Sequence, residues 1–297
     1  MRQSVPEIES DTASQIPDSW GDVRDRPEPY RDPEMNTTQR NAVTVTGTSG
    51  PPMMFAHGYG CDQNMWRFVS PAFTASHKVV LFDHVGNGKS DLSAYDEKKY
   101  STLDGYVDDL LEIVHEHDLH DVVFVGHSVS AMIGMLAAIR EPERFAKLVM
   151  IGPSPRYIND ADGYVGGFGE RDIDEMLQSL DSNYLGWSSA MAPVIMGNPE
   201  RPELGAELTN SFCRTDPEIA RRFAHVAFLS DNREDLPKLR TPALILQCAD
   251  DVIAPEVVGD YVHAHLAGST LVHLNATGHC PNLSAPDETV AAIKAYL

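Results

Sequence analysis

The sequence predicts a doubly wound α/β domain: a mostly parallel sheet with helices on both faces, interrupted by a helical insertion. Three observations predict it. Short runs that are apolar at every position recur at Met53–Ala56, Val79–Phe82, Val122–Val125, Leu148–Ile151 and Ala243–Leu246, with Thr270–Leu274 a later candidate. Strands covered on both faces read this way. Helical patterns separate these runs, as the βαβ alternation requires. From about Ser154 to Asp231 the strand signal vanishes, while aromatic and aliphatic residues continue at helical spacing.

Each element has its own warrant. Leu103, Val107, Leu110, Leu111 and Val114 repeat at helical spacing behind Ser101 or Thr102, either of which can cap the helix. Ser128 to Arg140 and Pro255 to Leu266 read as two more helices, and Ser284-Ala285-Pro286-Asp287 resembles a capping box for the last. Residues 1–36 are different. Pro6, Pro17, Pro27, Pro29 and Pro33 stand among many acids and few aliphatics. Such a segment buries too little apolar surface to offset its ordering entropy, so a disordered acidic arm is expected, with Trp20 and Tyr30 available to dock locally. The core is then assigned to 37–153 and 232–297, and the insertion, 154–231, forms a helical lid.

Bulk properties exclude several functions. The 297-residue chain has a formal net charge of −21, which repels nucleic acid and anionic membranes. An ordinary acidic protein carries such a charge, as does one adapted to a saline cytoplasm. No run approaches the roughly 18 to 20 apolar residues of a membrane span, and the N-terminus lacks a signal-peptide pattern. A soluble, cytoplasmic protein is expected. Cys61, Cys213, Cys248 and Cys280 are scattered, without CxxC or metal spacing, and read as free thiols in a reducing compartment. No metal or cofactor is expected.

The chemistry centres on Gly126-His127-Ser128-Val129-Ser130, between a strand and a helix. A serine on that tight turn is exposed above the sheet edge, with a helix N-terminus behind it favouring negative charge. The usual signature ends in glycine, and Ser130 is still small. His57-Gly58-Tyr59-Gly60 follows the first clear strand, where one oxyanion-hole N–H is expected. The residue after the nucleophile supplies the other, so Tyr59 and Val129 are the candidate donors. His57 itself reads as a loop-holding residue. Asp83-His84-Val85-Gly86-Asn87-Gly88-Lys89-Ser90 lacks phosphate-loop spacing and reads as structural.

The acid lies on the loop after Ala243–Leu246, where Asp250 and Asp251 compete. Hydrolases of the α/β-hydrolase fold commonly carry Asp-x-x-x-Pro at this place, and the match to Pro255 favours Asp251 over Asp250. The base is His279, after the last strand, with Gly278 freeing the loop. His115, His117 and His120 surround a helix end and read as solvated. The order Ser128, Asp251, His279 is that of the α/β-hydrolase fold. A serine nucleophile also disfavours the dehalogenase and epoxide-hydrolase chemistries of that fold, which use a carboxylate.

Longer segments carry a narrower resemblance. They are Gly126 to Gly134, His57 to Gln63, Gly152-Pro153-Ser154-Pro155-Arg156-Tyr157, Gly166-Gly167-Phe168, Gln247 to Asp251 and Gly278 to Pro281. Together they resemble the family of RsbQ, a bacterial stress-sigma-factor regulator, and of the plant karrikin and strigolactone receptors, nearest on the RsbQ side. Ser130 in the elbow is shared by that subgroup. The resemblance spans about Asn41 to Leu297. It implies a four-helix lid over the triad and a small, largely apolar ligand, an ester or a lactone such as a butenolide. Phe168, Trp187, Met191 and Phe228 are implied to line the pocket, with Tyr157 at its edge. It also implies two functions that a complete triad serves equally: hydrolysis, or ligand sensing with slow turnover reported to a regulatory protein partner. A lyase or peroxidase on the same fold is a third class.

Overall fold

The computed structural model describes residues 36–297 except Thr48. The expected arm, with Trp20 and Tyr30, lies outside these residues but for Asn36. That asparagine caps the first helix, α1 (Thr37–Arg40), accepting from the Gln39 N–H at 2.9 Å.

Among the described residues seven strands form one sheet: β1 (Thr44–Thr46), β2 (Pro52–Ala56), β3 (Lys78–Leu81), β4 (Val122–His127), β5 (Phe145–Ile151), β6 (Ala243–Ala249) and β7 (Ser269–Thr277). Their order is β1-β3-β2-β4-β5-β6-β7, with β1 antiparallel and every other pairing parallel. The apolar runs are the strands because both faces are covered. Met53 and Phe55 enter one hydrophobic cluster while Met54 and Ala56 enter the other. Val123 and Val125 likewise oppose Val122 and Phe124. This is the period-two alternation of a strand between two cores. Burial of each large apolar side chain contributes about 1.5–3 kcal/mol.

One face carries α2 (Leu103–Glu116), α3 (Val129–Arg140) and α8 (Glu256–His265). Thr102, not Ser101, caps α2, accepting from the Asp104 N–H. The other face carries the C-terminal α10 (Pro286–Tyr296), which follows the short α9 (Pro281–Ser284). The capping box expected at Ser284 does not form. Ala285 occupies the cap position without a side-chain bond, and Pro286 starts the helix, where its missing N–H costs nothing. Glu288 is turned instead to the Asn275 and Ala276 N–H groups of β7.

Between β5 and β6 lie α4 (Glu170–Ser182), α5 (Tyr184–Met196), α6 (Pro202–Arg214) and α7 (Pro217–Phe228). Apart from one isolated bridge, Ile158 to Phe168, this stretch has no strand. Ile173, Leu177, Leu180, Tyr184, Trp187, Leu208 and Phe212 of these helices join the same cluster as Phe55, Val125 and Leu246 of the sheet.

Candidate active site

Ser128 sits between β4 and α3 with φ 58° and ψ −126°. A left-handed φ on a non-glycine residue costs on the order of 1–3 kcal/mol and persists only where the surroundings enforce it. Here the Ser128 N–H donates to Ile151 O at 2.8 Å, and Ser128 O accepts from the Ala131 N–H at 2.9 Å. Gly126 is required two residues earlier: a Cβ there would lie 2.5 Å from the carbonyl oxygen of Ser130.

His279 stands over the serine, its Nε2 2.8 Å from Ser128 Oγ. Its Nδ1 lies 2.7 Å from Asp251 Oδ2. A carboxylate only accepts, so Nδ1 carries the proton and Nε2 presents a lone pair to the serine hydroxyl. The loop bearing His279 is pinned twice. Its N–H donates to Ile195 O of α5 at 2.9 Å, and its carbonyl accepts from His127 Nε2 at 2.7 Å. His127 is therefore the Nε2–H tautomer. Burial, and then the neighbouring His279, push its pKa down to about 3, so the ring is neutral.

Asp251 is 3 % exposed, whereas Asp250 faces solvent. Burial alone would raise the Asp251 carboxyl. The charge and hydrogen bond of His279, with the Ala254 and Ile253 N–H groups, outweigh it and hold the pKa below the usual carboxylate value. Those two N–H groups donate to Asp251 Oδ1 at 3.0 and 2.9 Å, leaving Oδ2 for the imidazole. The Asp-x-x-x-Pro spacing thus marks a loop whose own backbone orients the carboxylate.

Tyr59 and Val129 both line the space above Ser128. The Val129 N–H opens α3 and is one of those that helix geometry leaves without an intrahelical partner. Among the described residues the Tyr59 N–H donates to no other group. Both residues thus stand at the space that holds Ser128, each with a backbone N–H that has no partner among the described residues.

The space itself encloses about 470 Å³, counting the solvent at its mouth. Its walls are Tyr59, Tyr157, Trp187, Phe212 and Phe228, closed by Ile195, Leu208 and Ile253, with Ser128 and His279 at the floor. Trp187 stacks on Phe212 with centroids 6.0 Å apart, and Phe228 meets Tyr157 at 4.9 Å. Two expected lining residues do not reach it. Phe168 is half-buried, and its backbone is tied to Tyr157 and Asn159 in the strand-like entry to the lid, so Tyr157 and Phe228 form that wall instead. Met191 is half-buried against the core, and Trp187 and Ile195 of the same helix take the inner positions. Phe212 was visible in the sequence only as one aromatic of the insertion. Cys61 and Cys280 also line the space; burial first of all raises both thiols, Cys61 to about 12, so they stay protonated. Among the described residues no cluster of His, Cys, Asp and Glu is arranged to hold a metal.

A serine, an imidazole and a buried carboxylate in one hydrogen-bonded line, in that chain order on this sheet, lead to the comparison with known proteins. The profile of the alpha/beta hydrolase family matches residues 53–292. The chain belongs to that family. A strigolactone esterase of Arabidopsis thaliana is 40% identical over 256 residues, covering 86% of this chain and 95% of the relative. A karrikin insensitive 2 receptor of Petunia hybrida is 37% identical, covering 86% and 94%. The solved structure of a hydrolase from Oleispira antarctica superposes with a TM-score of 0.85 at 40% identity, covering 88% and 95%. The similarity to the karrikin receptor and to the strigolactone esterase thus covers 86% of this chain in each case. No described helix is long and apolar enough to cross a membrane.

Proposed function

We propose that the protein is a serine hydrolase for small hydrophobic esters or lactones, acting through Ser128, His279 and Asp251. The observation that carries this reading is the line Asp251 Oδ2, His279, Ser128 Oγ, at 2.7 and 2.8 Å, on the floor of an aromatic-walled cavity. In the reaction His279 Nε2 takes the hydroxyl proton as Ser128 Oγ attacks the acyl carbon. Asp251 holds the tautomer and stabilises the imidazolium. The oxyanion forms between the Tyr59 and Val129 N–H groups, and His279 returns the proton to the leaving alcohol. A water then repeats the sequence on the acyl-enzyme. No cofactor enters any step.

The receptor names among the relatives favour a second use of the same chemistry. In it, a ligand turned over slowly beneath the lid is reported to a protein partner. Four cysteines without disulfides suit the reducing cytoplasm in which such a partner would be met.

The test compares the protein with Ser128→Ala on short-chain p-nitrophenyl esters and a butenolide panel. The expected result is turnover that disappears in the variant; equal rates would sink the hydrolase reading. Wild-type turnover of only a few events per hour selects the sensing use.

A further inference from the structure

The loop carrying the Tyr59 N–H is held from behind by three polar side chains that the hydrolytic steps do not use. His57 Nδ1 lies 2.8 Å from Gly58 O, so Nδ1 donates and Nε2 is a lone pair. That lone pair accepts from the backbone N–H of His84 at 3.0 Å. The Ser130 hydroxyl donates to His57 O at 2.5 Å. Its oxygen lies 2.7 Å from His84 Nε2, and with the Ser130 proton already committed, His84 must be the donor. The bonds close a ring: His84 reaches His57 once through its backbone and once through Ser130. His57, His84 and Ser130 are each 0% exposed.

The ring acts on the oxyanion donor through peptide geometry. The carbonyl of Gly58 and the N–H of Tyr59 belong to one planar trans peptide and point in opposite directions. Fixing Gly58 O against the His57 imidazole therefore fixes where the Tyr59 N–H points. We propose that the His84–Ser130–His57 relay is a positioning device that aims the Tyr59 N–H and couples it to the nucleophile's helix. The proposal rests on the serine-hydrolase reading above.

Three further facts support it. Ser130 occupies the elbow position where the general motif has glycine, and a glycine there would leave His84 Nε2–H and His57 O without partners in a dry interior. The His84 ring is wedged edge-on against Phe82, Tyr106 and His57, with centroids 5.2, 5.6 and 4.7 Å away, so its donor direction is set. Burial, above all, keeps both imidazoles below the usual histidine pKa, so the neutral tautomers that the relay needs persist.

The test uses Ser130→Ala, His84→Phe and His84→Gln in the full chain, with Ser128→Ala as the reference for no chemistry. A misaimed donor weakens only the charged transition state, and removing such a donor outright costs about 100- to 1,000-fold. For a donor present but loosened, kcat is expected to fall about 10- to 100-fold in Ser130→Ala and His84→Phe, with KM within about twofold. Affinity for phenylboronic acid, which forms a tetrahedral adduct on the serine, should fall by the same factor. His84→Gln, whose amide donates from a similar place, should recover most of the loss. Ser130→Ala with kcat and boronate affinity unchanged overturns the proposal. So does a loss spread equally over KM and kcat with a lowered melting temperature, which marks a scaffold and not an aimed donor. If Ser130→Ala does not fold, the His84 pair decides alone: equal losses in Phe and Gln overturn the relay. Equal ester turnover in the wild type and Ser128→Ala is a different failure, that of the hydrolase reading itself, and the relay's role falls with it.

Discussion

At the scale of single residues, the site depends on one choice between neighbours. Asp250 and Asp251 differ by one position, yet Asp250 takes a left-handed φ of 50° on the exposed side of the turn while Asp251 folds under it. The turn thus spends its exposed position on one acid and buries the other against two N–H groups. Replacing Asp251 by Asn keeps the shape and lets the amide bond His279 in the wrong tautomer, with the proton on Nε2 where the serine needs a lone pair. The expected cost is about 10⁴-fold in kcat, with a small change in KM. Asp250→Asn should stay within about twofold in both. Steady-state kinetics on a p-nitrophenyl ester measures the pair, and equal losses would remove Asp251 from the proposed triad. The motif that hydrolases of this fold carry at this place, Asp-x-x-x-Pro, favours Asp251 in the sequence, and in the structure it is Asp251 that is buried against the Ile253 and Ala254 N–H groups.

At the scale of elements, what the sequence discloses follows from how local its cause is. β2 to β6 were legible because a strand covered on both faces is largely apolar, whereas β7, a mostly half-buried edge strand, showed only the weaker run Thr270–Leu274. β1 was not: Thr44, Val45 and Thr46 are all exposed on an edge, so nothing in their composition announces a strand. The four helices between β5 and β6 were legible as a strand-free insertion. The residues they turn inward were legible only in part, because lining a cavity depends on how helices pack on the sheet. Trp187, Phe228 and Tyr157 line it, whereas Phe168 and Met191 give way to Ile195, Leu208 and Phe212. Ser284 failed as a cap for a similar reason: it closes α9, and Pro286 needs no partner. The reassignment of the wall is measurable. Phe228→Ala removes a ring that meets Tyr59 and Tyr157, and one apolar contact in a substrate pocket is worth about 1–3 kcal/mol, roughly tenfold or more in kcat/KM for a hydrophobic ester. Phe168→Ala should leave kcat/KM within about twofold. Melting temperatures check that both variants are folded. A larger loss in Phe168→Ala than in Phe228→Ala would show that the wall lies elsewhere when substrate is bound.

At the scale of the whole molecule, the fold keeps three neutral imidazoles around the site, and this sets how the protein meets acid. His57, His84 and His127 all have pKa values lowered, first by burial. In the unfolded chain each binds a proton as the pH falls through the histidine reference of about 6.5. In the folded chain His127 refuses one until about pH 3. The unfolded state thus binds more protons, and stability, fully present above about pH 6.5, declines as the pH drops toward 3. A refused proton contributes about 1.4 kcal/mol per pH unit to the slope, and His57 and His84 add to it in the same direction. The net charge of −21 works the other way, since protonating carboxylates relieves self-repulsion. That term is screened at 0.15 M salt, where the Debye length is about 8 Å, whereas the buried imidazoles are not reached by salt. Urea unfolding in 0.15 M salt at pH 7.5, 6 and 5 should therefore show stability falling, and His127→Gln should flatten the slope by about one proton. His127→Gln with the wild-type slope would mean that His127 is already charged in the fold. It would then have a second proton to place in the apolar wall of the cavity, where among the described residues the nearby carboxylate is Asp251, already bound to His279.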